Sequence, residues 1–465
     1  MSLSEAVRPV RMRRVAVVAP QDALRDVLVA VARAGVIELE APVDPDAPPG
    51  EAAERLHRMG ATAAPALSRD APDLDALERA GRADLLAGEA QLAERARAAV
   101  RRGSVAGLAG WCPADSVPEV AGVLAPLGAA LVAVPGPRGV DPPTLLPSAG
   151  RLHRSFEPLV DTYGTPAYRD VDPTLLAGIS YVVMFGMMFG DLGHGLLLVA
   201  AALLVRTGRP RRFASLRRVW PFLAGAGLAA MLFGLLYGEF FGPTGVLPVL
   251  WLSPLDEPVR LLLTAVAFGA VLLAGSYAVG TVNRWREGGA RAALYAPSGI
   301  AGSALFLGAG LVVAGVLLPA AGVLLVGAVL AVTGLVLAGI GLFTGSGGGV
   351  AGGVQTGVEL FDLVVRLGSN VVSFARLAAF GMTHAALGSL VWTAAVALTG
   401  GGALLALAGV VVFVAGNALA FSLEALVAGV QAMRLEFYEL FSRVFEIQGR
   451  PFRPWRLPVQ SEVSS

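Results

Sequence analysis

The chain has 465 residues, of which 55% are hydrophobic and 15% charged, with a formal net charge of +1 and a mean hydropathy of +0.66. It is far more apolar than a soluble globular average, so most of it belongs in lipid. All 36 basic side chains are arginine, which excludes lysine-dependent catalysis and the Walker-type phosphate loop; the lone Cys112 excludes an internal disulfide and offers no structural zinc site.

The first residues are polar and basic, with no apolar core followed by a small-residue cleavage site, so the N-terminal region is expected to stay in the cytoplasm. Residues 14–40 read as strand, helix, strand: RVAVVA is β-branched, QDALRDVLVAVARAG has helical apolar spacing, and VIELE alternates. A second such unit spans 105–135. Between them, residues 51–103 are rich in Ala, Arg, Glu and Leu, which predicts a helical hairpin on solvent-facing arms. Residues 1–172 thus read as a small α+β cytoplasmic domain with a helical-hairpin insertion.

From Leu175 onward, apolar segments long enough to cross a bilayer follow one another, about eight by the length rule of roughly 20 residues each. They lie near 174–190, 192–206, 219–238, 259–281, 294–318, 320–343, 357–398 and 402–445. The first two meet at GDLGHG and are short enough to be a re-entrant pair. The last two exceed what a bilayer needs, which predicts two long, tilted C-terminal helices. Arginine-rich stretches at 206–218, 283–291 and 450–456, against an arginine-free loop at 239–258, put the basic segments and both termini in the cytoplasm. The domain boundaries are therefore 1–172, a transmembrane helical domain 173–450, and a cytoplasmic tail 451–465. The glycine-rich stretch 345–354 lacks the lysine of a phosphate cradle and reads as a linker.

Charged side chains in the membrane are costly, so those that remain usually face a partner or a water path. The seventh span carries Asp362, Arg366, Asn370, Ser373, Arg376 and His384; the eighth carries Asn417, Glu424, Gln431, Arg434, Glu436 and Glu439. Positions 362, 366, 369, 373, 376, 380 and 384 advance by threes and fours, as do 417, 420, 424, 427, 431 and 434, so each set forms one helical stripe. The turn TGGG at 399–402 makes the two helices an antiparallel hairpin. His384 then stands about 12 Å beyond Arg376 toward the exterior, and Glu424 about 15 Å from Arg434. Carboxylates and imidazole relay protons whereas a guanidinium stays charged, so the pattern suits an ion path broken in the middle by arginines that attract a mobile carboxylate from another subunit. Glu239 reads as a solvated boundary residue. Asp191 and His194 are too few for a metal, and a turn-stabilising or interhelical hydrogen-bonding role suits them, with the glycines allowing close helix approach.

The strings SNVVSFARLAAFGMTHAAL (369–387), EALVAGVQAMRLEFYELF (424–441), FGMMFGDLGHGLLL (185–198) and FEPLVDTYGTPAYRDVDPT (156–174), with the N-terminal RMRRVAVVAPQDALRDVLVAVARAGVIELE and the GWCP at 110–113, resemble the membrane stator subunit a (subunit I) of V-type and A-type rotary ATPases. The resemblance implies a non-catalytic subunit in which Arg376 and Arg434, with Gln431 beside them, meet the carboxylate of a rotating c-ring. His384 and Glu424 would line the external half-channel, Asp362 with Asn370 would lie near the cytoplasmic one, and Ser373 would belong to the same ion-translocation set. Ion flow, of protons or sodium, would couple to ATP synthesis or hydrolysis in a separate soluble head. The implied partners are the c-ring, peripheral stalk subunits held by the N-terminal domain, the central-stalk or ring-cap subunit, the ATPase head and membrane lipid, with no nucleic acid and no cofactor. The implied location is the plasma membrane. The arm between the lobes is shorter than the family's usual coiled coil. Two other classes fit the charges less well: a self-contained secondary transporter, for which no internal repeat is visible, and an intramembrane enzyme centred on Asp191 and His194, which lack a nucleophile and base pair.

Overall fold

Alternating β-branched residues at the start of the chain form a strand, β1 (Met12–Pro20), whose Val15, Val17 and Ala19 are buried. The computed structural model describes residues 9–40, 48–137, 139–147, 150–208, 216–444 and 449–460. Contacts divide them into two units, one of residues 9–147 with 449–460, the other of residues 150–444. The arginines at 209–215, part of the orientation argument, and the last five residues of the tail lie outside the described residues.

In the first unit, β1 is followed by helix α1 (Leu24–Ala34) and β2 (Glu38–Leu39). Strand β5 (Val105–Pro113), helix α5 (Val117–Leu124) and β6 (Ala130–Ala133) repeat the pattern. The sheet order β2-β5-β1-β6, with antiparallel neighbours, interleaves two split βαβ units in the ferredoxin-like manner. Val27, Leu28 and Val31 of α1 and Val120 and Leu124 of α5 close one core over it, each fully buried side chain contributing roughly 1.5–3 kcal/mol. Cys112 lies in that core, where burial pushes its thiol up to about 11, so it is inert.

Residues 51–103 differ from a plain hairpin. They form α2 (Glu51–Met59), β3 (Leu67–Ser68), α3 (Leu74–Arg79), α4 (Ala83–Arg97) and β4 (Val100–Arg102), which pairs with β5. Their own small core of Ala66, Leu77, Leu85 and Leu86 folds them together instead of extending them as arms. The segment from 449 is also no free tail. Trp455 and Leu457 enter the sheet's core, the Trp455 N–H donates to Ile37 O at 2.9 Å, its indole Nε1 to Gln91 at 3.2 Å, and β7 (Val459–Gln460) runs parallel to β3.

The second unit begins with α6 (Gly150–Tyr163), so residues 150–172 group with the apolar helices, and not with the N-terminal domain to which the expected boundary at 172 assigned them. Then come α7 (Thr174–Met188), α8 (Leu192–Thr207), α9 (Trp220–Tyr237), α10 (Pro258–Tyr295), α11 (Ile300–Leu317), α12 (Ala321–Gly345), α13 (Gly349–Ser373), α14 (Ala375–Thr399) and α15 (Ala403–Leu435). Counting α13 with α14, and α15 with the residues that follow to Val444, six helices among the described residues are long and apolar enough to cross a membrane. Helices α7 and α8 are shorter apolar elements, about 23 Å long at 1.5 Å per residue. They are separate: Gly186 of α7 lies against Ala229 and Gly190 against Phe233 and Tyr237, whereas Gly195 of α8 lies against Gly227 and Met231. Helix α9 therefore runs parallel to α7 and antiparallel to α8. The expected close approach is made by Gly195 and Gly227, where a Cβ on either would fall within 2.9 Å of the other's carbonyl oxygen. The arginine-rich stretch 283–291 is helical, the last part of α10, kinked at Gly289. There Asn283 is buried and ties the Val171 N–H (2.9 Å) to Val444 O (3.1 Å).

Candidate ion-path site

Helices α14 and α15 pack side by side, joined by the short turn after Thr399. The seventh expected span is one rod of 51 residues interrupted at Phe374. Phe374 is wholly buried against Gly269, where any side chain would collide with its ring, and around it the backbone tightens: its N–H donates to Val371 O at 3.2 Å and its carbonyl accepts from Leu377 N at 3.0 Å. Arg376 therefore starts a new helix instead of continuing the old one. Its Nε donates to Ser373 O at 3.0 Å and its guanidinium pairs with Glu439 at 2.7 Å.

Glu439 comes from a widened π-helical segment, Glu436–Phe441, that follows α15. Such turns are rare and frequently occur at functional sites. Both glutamates of the segment are buried: Glu436 accepts from Ser180 at 2.8 Å, and Arg434 lies close enough to act on the Glu439 charge. Arg434 itself is exposed at the end of a stripe formed by Leu419, Leu423, Leu426 and Val430, each more than half exposed. This face of α15 has no cover among the described residues.

Further along α14, His384 is buried and its Nδ1 contacts the Glu424 carboxylate. Its Nε2 points to Asp191, 4.0 Å away. Asp191 caps α8, accepting from His194 N at 2.8 Å, and also accepts from Gly242 N at 2.7 Å. The loop after α9 is thereby drawn onto α14. At the crossing Gly242 (φ +93°) meets Gly388, and a Cβ on Gly388 would lie 2.6 Å from the Gly242 Cα, so only glycines fit. Phe189 stacks on His194 at 5.6 Å, and the two histidine rings are 5.4 Å apart. Asn417 is buried beside them, donating to Phe413 O at 2.9 Å.

Of the residues read from the sequence, the structure joins His384 with Glu424 and sets Ser373 at the Arg376 junction. Gln431 is half-buried, with its Oε1 unbonded among the described residues. Asn370, its amide oriented to suit both neighbours, donates to Arg366 O (3.1 Å) and accepts from Arg443 (3.0 Å). Asp362 pairs with Arg366 at 2.5 Å on a largely exposed surface, away from the buried groups. The eighth-span stripe is not one face: Asn417 is buried and Glu424 turned inward, whereas Arg434, ten residues past Glu424, lies about 80° around a helix of 3.6 residues per turn. Glu239 is not solvated but buried at 2% exposure, because its backbone closes the turn: its N–H donates to Gly234 O at 2.8 Å and its carbonyl accepts from Leu192 N at 3.0 Å. Asp191 has the expected turn-stabilising role. The sequence stripes left out Glu439 and Arg443, and they placed His384 on its stripe without joining it to Asp191 and His194.

These elements define a multi-helix membrane protein with two units, one carrying a charged helical hairpin and the other a small α+β domain. The sequence model of the V-type ATPase 116kDa subunit family matches residues 99–247. The chain is 26% identical over 374 residues to the A-type ATP synthase subunit I of Thermococcus kodakarensis, covering 75% of this chain and 54% of that one. It is 27% identical over 379 residues to the A-type ATP synthase subunit I of Aeropyrum pernix (69% and 51%), and 50% identical over 95 residues to the V-type ATP synthase subunit I 2 of Treponema pallidum (20% of each). Over these stretches the chain is similar to the V-type and A-type ATPase subunit I family. It spans about half the length of the first two of these relatives.

Proposed function

We propose that the chain is the non-catalytic membrane stator of a rotary ATPase and that α14 and α15 form two ion half-channels against a ring of proteolipid subunits. The carrying observation is the separation of two buried clusters on one hairpin: Arg376 with Glu439 at one level, His384 with Glu424 and Asp191 further along α14. Among the described residues no continuous chain of relay groups lies between them. The exposed stripe ending in Arg434 suits a ring helix whose carboxylate, arriving through lipid, is drawn to the guanidinium groups and releases its proton or sodium ion there. A permanently charged guanidinium cannot relay the ion onward, so transfer between half-channels has to go by rotation.

In this reading the Asp191 end faces the exterior, since α8 starts there and ends at Arg206, whose guanidinium lies 5.0 Å over Trp220 near the arginine-rich segment. Asp362, Asn370, Arg366 and Arg443 would serve the cytoplasmic side. The α+β unit would hold the peripheral stalks, and ion flow across the plasma membrane would couple to the nucleotide chemistry of a separate soluble head.

The test replaces Arg376 and its buried partner together, Arg376→Ala with Glu439→Gln, so that no uncompensated charge is left inside. ATP-driven ion uptake by vesicles holding the assembled complex should vanish while the subunit still co-purifies with the ring. Uptake at the parental rate would overturn the proposal.

A further inference from the structure

Asp191, His194 and His384 offer three ligand atoms within 4.8 Å of one another, all from buried residues. Two lie in GDLGHG; the third arrives from α14, nearly two hundred residues away. We propose that this cluster is a binding site for a divalent transition cation of the zinc class, and that a cation bound from the exterior arrests ion flow. The second part rests on the external half-channel reading; the first does not.

The ring nitrogens of His194, with Asn417 as a loosely placed polar neighbour, and the Nε2 of His384 make no well-formed hydrogen bond among the described residues, although the rings are 1% and 4% exposed. Buried polar atoms of this kind are costly unless something satisfies them. His384 also carries the support typical of a metal ligand. Its Nδ1 contacts the Glu424 carboxylate, which holds the proton on that nitrogen and leaves the Nε2 lone pair directed at Asp191. Asp191 is fixed by the His194 and Gly242 N–H groups, one on each oxygen, and each oxygen keeps a lone pair free.

Distances of 4.0 Å from His384 Nε2 and 3.7 Å from His194 Nδ1 to the Asp191 oxygens compare with about 3.3 Å between ligands of a tetrahedral ion with bonds of about 2.0–2.1 Å. Small side-chain rotations close that gap. Two imidazoles and one carboxylate suit zinc and its neighbours over calcium or magnesium, which prefer oxygen cages. Water would complete the tetrahedron, as in open zinc sites. The charge fits as well: Glu424 and Asp191 both face the His384 ring, so the pocket favours a cation. A cation on the Nε2 of His384 occupies the atom a proton relay needs.

The experiment uses the purified full chain in detergent with any polyhistidine tag removed. Co2+ is titrated while the visible bands of tetrahedral cobalt are followed, and Zn2+ is then used to displace it. We expect one Co2+ per chain, displaced by one Zn2+. Binding should weaken at least ~100-fold in His194→Ala and His384→Ala and ~10–100-fold in Glu424→Gln, the range for loss of a supporting carboxylate. His57→Ala should leave it unchanged. Should His384→Ala fail to fold, His194→Ala decides, since its ring makes no well-formed hydrogen bond to lose. Absence of tetrahedral bands, or bands indifferent to His194→Ala, would overturn the metal site and leave the ion-path reading standing. Binding of Zn2+ with no slowing of uptake when Zn2+ is added on the exterior of the assembled complex would instead retain the site and overturn its place in the ion path.

Discussion

Glu439 holds Arg376 in the state described, so Glu439→Gln should change how tightly a ring carboxylate is held. The 2.7 Å contact puts the charge centres about 4 Å apart, worth about 4 kcal/mol at an effective dielectric of 20. Glu439 is nearly enclosed and Arg376 about a quarter exposed, so part of that attraction offsets desolvation. About 2 kcal/mol is a reasonable net figure for a charge-assisted bond. In the glutamine variant that attraction becomes available to the arriving carboxylate, which then leaves about 30-fold more slowly. ATP-driven uptake by the assembled complex should fall by that order while the ring and stator still co-purify. Replacing Arg376 by alanine alone strands the Glu439 charge and should loosen the bundle by about 3–5 kcal/mol, a loss the added Glu439→Gln repairs without restoring uptake. Uptake at the parental rate in Glu439→Gln would refute the argument that Arg376 is shared between an internal and a mobile carboxylate.

Glu424→Gln keeps the shape of the His384 contact but removes the charge, and should cut uptake at least tenfold with the subunit's unfolding temperature nearly unchanged; equal uptake would place the path elsewhere. Trp455→Ala empties a core site of the N-terminal unit and deletes the bond to Gln91, so it should cost about 3–5 kcal/mol. Hydrogen exchange on the full chain should show amides of β1 and α1 opening about 10²–10⁴ times more readily. Asp170, in the connection before α7, has its carboxyl pushed up to about 8 by burial and then by neighbouring Glu287. Its unfolded value is about 3.9, so the native state keeps a proton the unfolded chain has lost, and the stability present below about pH 4 declines as the pH rises toward 8. Asp170→Asn should flatten that dependence of the unfolding temperature; an unaltered slope would assign it to other groups.

Apolar length and strand alternation were legible because they report on single elements: β1, α1, β5, α5 and the long apolar helices all follow from local pattern. The insertion at 51–103 was less so. Its Ala, Arg and Glu content favours helix anywhere, and only Leu77, Leu85 and Leu86 packing on Ala66 decide that the helices fold back. The capture of 449–460 depends on a partner strand some four hundred residues away, which no window of sequence contains.

The site shows the same division. A stripe drawn at intervals of three and four assumes an unbroken helix, and this hairpin is broken twice, at Phe374 and at the π-helical turn after Leu435. The first break turns Asp362 and Arg366 outward while Arg376 begins a better-covered helix. The second brings Glu439 under Arg376, a pairing absent from the stripe. Both breaks occur next to the guanidinium that the ion-path proposal depends on most. A straight pair of helices would leave Arg376 without an internal counter-charge, fixed by whichever ring carboxylate first reached it. The irregular backbone supplies a competing acid, so under that proposal capture and release of a mobile carboxylate would be nearly balanced in energy, the condition for a ring that has to keep turning.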